Sequence, residues 1–275
     1  LPLSLEPLLT HVPAWLLVLF RLTGVFLFAP VFGSAVIPAR VKVFLALGLS
    51  FCVYPALLEP GHPSARLVKP VVESGLSLWG VAGAVAVELL IGMVIGYGAS
   101  MALFGVQIAG HVMDQQLGLG LAGVINPEFN EQSGIVSEVY YTLAVALFLI
   151  VGGHRVVLGA LIGSFQRIPL GGFQVDGAVA DLVLGLFATM LDVALRISGP
   201  LLCLVLLETV ALGFIARTVP QINILSVGFS LRILIGMSLL IGGLGITAEV
   251  FTTELEQALG RLVDFFAGWK ALPAG

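Results

Sequence analysis

Charge is what this sequence most lacks. Only 10% of its 275 residues are Asp, Glu, Lys or Arg, against about 25% in an ordinary soluble domain. A soluble fold of this length could not cover its surface with so few. Cysteine is scarce too: Cys52 and Cys203 both lie inside apolar runs, which argues against a disulfide scaffold and fits small buried thiols. Four histidines, His11, His62, His111 and His154, are scattered without metal-ligand spacing. No HExxH, GxSxG or Cys/His cluster occurs, so no hydrolytic or redox site is visible, and neither a metal nor another cofactor is expected. A net charge of −4 gives no basic footprint for nucleic acid.

What the sequence does have is apolar length. Hydrophobic residues make up 59% of it, and the mean hydropathy is +1.11. Lipid lets apolar side chains face outward, so the chain reads as an all-α integral membrane protein, hydrophobic spans joined by short polar connections. The opening stretch has no basic n-region or small-residue cleavage site and reads as a first span, not a signal peptide. The first apolar run is Val12–Phe32, followed by a polar turn at Gly33–Lys42. A second, short for a full crossing, is Val43–Leu58, and Glu59–Glu73 is a loop. The third, from Leu76 to about Ala109, is too long for one upright helix; within it Gly92 and Gly96 have the spacing that lets helices approach closely. Gly110–Glu138 is Gly- and Gln-rich and reads as a central loop. Val139–Val151 and Val156–Phe165 read as a broken or hairpin-like pair, and Arg167–Gly177 as a loop. Asp181–Arg217 is apolar and longer than a bilayer is thick, with a kink expected at Pro200 if it is helical. Ile222–Ile246 is the last strong run. From Ala248 to Lys270 charges alternate with Phe and Leu, which predicts an amphipathic helix. Lys and Arg are spread over most loops, so the positive-inside rule does not decide topology.

The residues that interrupt apolar runs carry the most information. Arg21, Glu88, Asp192, Arg196, Glu208 and Arg232 all do so. An ionisable group at the bilayer centre costs at least about 2.5 kcal/mol, so each should face a partner, another subunit or water. Asp192 and Arg196 are four apart and can pair on one helix face. Three readings are open: neutralisation within the chain, contact with other subunits, or a proton relay. The stretch Gly118-Leu119-Gly120-Leu121-Ala122-Gly123 matches GxGxxG, but the dinucleotide fingerprint needs a strand before it and a helix after it. A packed or flexible glycine loop is the plainer reading.

Several motifs stand in one order along the chain. Arg21-Leu22-Thr23-Gly24, Ala29-Pro30-Val31-Phe32-Gly33 and Ile37-Pro38-Ala39-Arg40-Val41-Lys42 come first. Gln115-Gln116-Leu117-Gly118-Leu119 and Ile125-Asn126-Pro127 follow, then Phe148-Leu149, Gly153-His154, Ser164-Phe165 and Ile168-Pro169-Leu170-Gly171. Pro220-Gln221-Ile222-Asn223 with Val227-Gly228-Phe229 closes the series. Together, from about residue 20 to 235, they resemble the FliR/SctT family of flagellar and type III secretion export proteins. The segment from Gly199-Pro200-Leu201-Leu202 to Phe229 also resembles the small two-helix export protein FliQ, with Pro200, Pro220, Gln221 and Asn223 as its motif residues.

The resemblance implies a fold of kinked helices and helical hairpins, a FliP-like part joined to a FliQ-like part. It divides the chain into 1–180 with the central loop 110–138, a FliQ-like hairpin at 181–247, and an amphipathic helix and tail at 248–275. It implies a non-enzymatic core subunit of the export gate in the bacterial inner membrane, within the flagellar basal body. FliP and FliQ would be its partners in the pore, FlhB and FlhA would be close by, and unfolded flagellar subunits would be the cargo. The central loop, about Leu117–Gln132, would be a pore plug, with Leu117, Gly118, Leu119, Gly120, Gly123, Ile125, Asn126 and Pro127 as its residues; an ordinary packed re-entrant loop is the alternative. Other readings of function are a virulence-type SctT component and, on the buried carboxylates Glu88, Asp192 and Glu208, a stand-alone proton-coupled transporter. The latter often shows inverted repeats, and none is evident.

Overall fold

A computed structural model describes residues 6–34, 37–59, 78–119, 134–173, 177–219, 221 and 223–268. Seven helices account for the regular structure of these residues: α1 (Glu6–Phe28), α2 (Ala39–Leu58), α3 (Leu78–Leu117), α4 (Ile135–Val151), α5 (Gly153–Arg167), α6 (Gly177–Thr218) and α7 (Ile224–Gly268). No strand occurs among them. Five helices are long and apolar enough to cross a membrane, and α4 with α5 makes a sixth candidate crossing, broken at Gly152. The chain is therefore the all-helical membrane protein its composition predicts.

The described residues fall into two compact units. One comprises those within Leu1–Ser100, Gly152–Leu186 and Gln257–Gly275; the other those within Met101–Val151 and Phe187–Glu256. In the first unit α1 and α2 form a hairpin, tied by a His11–Tyr54 hydrogen bond of 2.8 Å and by Trp15 against Phe51, ring centroids 5.0 Å apart. On the other side of α1 lies α3, close enough that glycine is required. A Cβ on Gly24 would come within 2.9 Å of the Gly92 Cα, and one on Gly96 within 2.9 Å of the Ala29 nitrogen. The helices touch backbone to backbone, the use of small residues that lipid-embedded packing favours.

Several boundaries differ from the hydropathy reading, each for a local reason. Helix α1 stops at Phe28, not Phe32, because Pro30 begins a tight turn in which Val31 takes a left-handed φ of +69°. The turn is closed by Gly33 N–H donating to the Ala29 carbonyl at 2.7 Å and by Lys42 Nζ donating to the Gly33 carbonyl at 3.0 Å. Helix α2 begins at Ala39, directly after Pro38, and so gains the length its apolar run lacked. Helix α3 continues through Gly110, His111 and Asp114 to Leu117, and α4 begins at Ile135, so both run into the stretch expected as loop. Gly110 is helical because it lies against Ser137, whose nitrogen would be 3.0 Å from an added Cβ. Helix α7 runs unbroken from the last apolar run into the amphipathic tail, through Gly242, Gly243 and Gly245. Interior glycines cost about 1 kcal/mol each. Burial of Phe251, Leu255, Ala258, Leu259, Leu262 and Phe266 on one stripe offsets that cost. Helix α6 likewise continues through Pro200.

Candidate functional site

Within the first unit, Arg21 on α1 and Glu88 on α3 form an ion pair with no solvent exposure on either side chain. The guanidinium also donates to Ser164 Oγ on α5 at 3.1 Å and lies 4.4 Å from the Phe165 ring centroid. The second Glu88 oxygen accepts the Gly171 backbone N–H at 2.8 Å. One pair of charges thus joins three helices and the turn after α5. Gly171 sits at φ +72°, which L side chains rarely adopt. A buried pair of this kind is tolerated because hydrogen bonds satisfy most of its remaining polar atoms. Arg21 Nη2 is the exception, buried without a partner.

The other four charged residues lie in the second unit. Arg196 Nε meets Asp192 at 2.7 Å, one helical turn away on α6, and its Nη1 reaches Glu254 on α7 at 3.3 Å. Glu208 on α6 and Arg232 on α7 pair at 2.8 Å, and Arg232 also donates to Thr209 Oγ1 at 3.3 Å. Glu208 Oε1 is buried and unpartnered. Every one of the six charged positions therefore has an opposite charge within its own chain.

The central loop is described only at its ends. Leu117 is fully buried, the last residue of α3. Gly118 follows at φ +75°, with its N–H donating to Gln115 at 3.2 Å and the Leu119 N–H to Asp114 at 3.1 Å. This is the glycine-terminated helix stop in which the last carbonyls are satisfied by the turning chain. At the far end Asp114 acts again. Its carboxylate accepts the Val136 and Ser137 backbone N–H groups at 3.0 and 2.9 Å, capping α4 from another helix. Gly134 must lack a side chain here, since a Cβ would lie 2.6 Å from the Asp114 Cβ. Gly120, Gly123, Ile125, Asn126 and Pro127 lie outside the described residues, as does Pro220. Of the other motif residues, Pro200 lies inside α6, Gln221 is exposed, and Asn223 Oδ1 accepts the Ser226 N–H at 3.4 Å at the start of α7.

Asp114 was visible to the sequence only as one polar residue in a loop. A carboxylate about 20 residues before a helix start carries no local signal, because the cap it makes is tertiary. Ser164 and Gly171 were motif members, and their role beside Arg21 and Glu88 depends on contacts across 143 and 83 residues. Among the described residues no group of three or more His, Cys, Asp or Glu side chains is placed to hold a metal.

Comparison with known proteins decides the family. The model of bacterial export proteins, family 1, matches residues 12–258. The flagellar biosynthetic protein FliR of Bacillus subtilis (strain 168) is 31% identical over 233 residues, 83% of this chain and 85% of its own length. This chain belongs to the FliR family. The FliR of Escherichia coli (strain K12) is 28% identical over 90% of this chain and 91% of its own length. That of Aquifex aeolicus (strain VF5) is 26% identical over 93% and 95%. As a FliR-family protein with several candidate membrane helices, the chain is a non-enzymatic membrane component of the flagellar export apparatus.

Proposed function

We propose that the chain is a core subunit of the export pore in the inner membrane of the flagellar basal body. It assembles there with FliP and FliQ, next to FlhB and FlhA, and unfolded flagellar subunits pass through the pore. One observation supports assembly above the others. Helices α6 and α7 have 42 and 45 residues, and the apolar windows along them are only 17% buried within the chain. At 1.5 Å per residue α6 is about 63 Å long, and even at a tilt of about 40° it rises about 48 Å, well beyond a hydrocarbon core of about 30 Å. Lipid cannot cover that much apolar helix, and other protein chains can. In the apolar stretch of the helix at Gly80–Leu117, by contrast, 72% of the residues are buried by the chain itself.

In this reading Leu117–Gln132 is the plug that closes the pore at rest. In support, the Gly118 helix stop and the Asp114 cap hold the flanks of that segment. The six charged residues pair within the chain, and of them Asp192 and Arg196 are exposed where another chain can reach them.

Co-expression with the FliP and FliQ of the same genome, affinity purification in mild detergent and intact mass measurement test the proposal. The expected result is one discrete complex of all three proteins. A stable monomer or homodimer without partners overturns it and returns Glu88, Asp192 and Glu208 to the proton-relay reading. Deleting the plug segment is expected to raise ion leakage in cells; unchanged conductance and secretion would remove the plug role.

A further inference from the structure

The charge cluster on α6 and α7 is unlike the pair inside the first unit. Arg21 and Glu88 are wholly buried, whereas Arg196 and Asp192 are 57% and 45% exposed. They lie at the middle of a 42-residue apolar helix and are flanked by the exposed Leu191 and Leu195. One guanidinium faces two carboxylates, Asp192 and Glu254, so the cluster carries an excess negative charge. Glu249 and Glu256 are exposed close by on α7, and no Lys or Arg occurs between Arg232 and Arg261.

Lipid tails do not suit such a face. Each uncompensated charge at bilayer depth costs at least about 2.5 kcal/mol. The missing element is one cation. Beside the cluster is a pocket of about 80 Å³, lined by Met113, Ile197, Leu201, Leu240 and Ile246, with Arg196 also contributing to its wall. A single water needs roughly 10–15 Å³ measured in this way, so the pocket has room for several non-hydrogen atoms. Its lining is apolar enough to prefer a side chain over water.

We propose that this face receives a helix of another export-apparatus subunit, one that carries a lysine or arginine within a turn of a branched apolar or aromatic side chain. The cation lies against the exposed Asp192 and offsets the excess negative charge that Asp192 and the buried Glu254 leave on their shared Arg196. The apolar side chain fills the pocket between α6 and α7. Arg196 holds the two carboxylates in place for it; a guanidinium suits that role because its fixed donors can serve two carboxylates at once. The proposal rests on the assembly reading above and adds to it which chemistry the neighbour must present.

The test uses the full chain in cells that carry the complete export apparatus. p-Benzoylphenylalanine in place of Leu195 is photo-activated, and the adduct is identified by mass spectrometry. The expected adduct joins Leu195 to a helix of a different chain, with Lys or Arg within four residues of the attachment point. The double variant Asp192→Asn, Glu254→Gln is expected to reduce the adduct at least tenfold. Arg196→Ala, which leaves both acids but loosens their placement, is expected to weaken the adduct less than the acid variant does. Circular dichroism of each purified variant separates lost docking from lost folding. A purely structural cluster predicts no such difference, with Arg196→Ala at least as damaging as the acid variant, and that result overturns the proposal. An adduct with lipid, or with a helix lacking a basic residue, overturns it too while leaving an isolable three-protein complex and the assembly reading intact. Absence of both adduct and complex removes both.

Discussion

Arg21 and Glu88 stand 67 residues apart in the chain and meet with both side chains closed to solvent. Removing either one leaves a full charge stranded in an apolar interior. Glu88→Gln or Arg21→Ala is therefore expected to cost about 3–5 kcal/mol, whereas the paired change Arg21→Met with Glu88→Leu is expected to recover most of that loss. Thermal unfolding of the purified assembly reads the difference. If the double variant is as unstable as the singles, the hydrogen bonds to Ser164 and Gly171 matter more than the charge balance.

The cap on α4 makes a local prediction. Asp114→Ala is expected to expose the first-turn N–H groups and cost about 1–2 kcal/mol. Asp114→Asn keeps one acceptor and should lie between. Amide hydrogen exchange at Val136 and Ser137 checks this directly, since both N–H groups lose their acceptor in the alanine variant. Protection unchanged in Asp114→Ala would mean that the α4 start is held by packing alone.

Two glycines provide a contrast. Gly92→Ala would put a Cβ 2.9 Å from the Gly24 backbone, whereas Gly48→Ala on α2 would meet nothing within 4 Å. The first is expected to force α1 from α3 and lower the melting temperature. The second should gain about 0.5–1 kcal/mol from helix propensity. Equal effects would show that the close α1–α3 contact is not rigid.

Val31 holds a left-handed φ of +69° that a β-branched residue avoids. That conformation costs about 1–2 kcal/mol. Val31→Gly is expected to stabilise the turn by about 1 kcal/mol, after the entropy that glycine adds to the unfolded chain. A fall in melting temperature would show that packing by the valine side chain outweighs its backbone strain.

The parts of the fold legible in the sequence were those encoded over short distances. Hydropathy found the spans. The Gly92–Gly96 spacing marked a close helix contact, and the four-residue spacing of Asp192 and Arg196 correctly paired them. Contacts made across the chain were not legible. Arg21 and Glu88 each stood out as a charge in an apolar run, but nothing in their spacing made them partners. Glu254 looked like part of the polar stripe of an amphipathic tail, and only the packing of α7 on α6 puts it beside Arg196. The ends of α3 and α4 were placed short for the same reason. Gly110, Asp114 and Gly134 read locally as loop residues, while the close approach at Gly110 and the cap that Asp114 makes beside Gly134 come from fitting α3 against the start of α4.

The bare length of α6 and α7 bears on how cells must handle this protein. A newly made copy presents two long helices whose apolar stretches its own chain leaves mostly uncovered. On the proposed assembly, its lifetime in the cell should follow the supply of the chains that cover those helices.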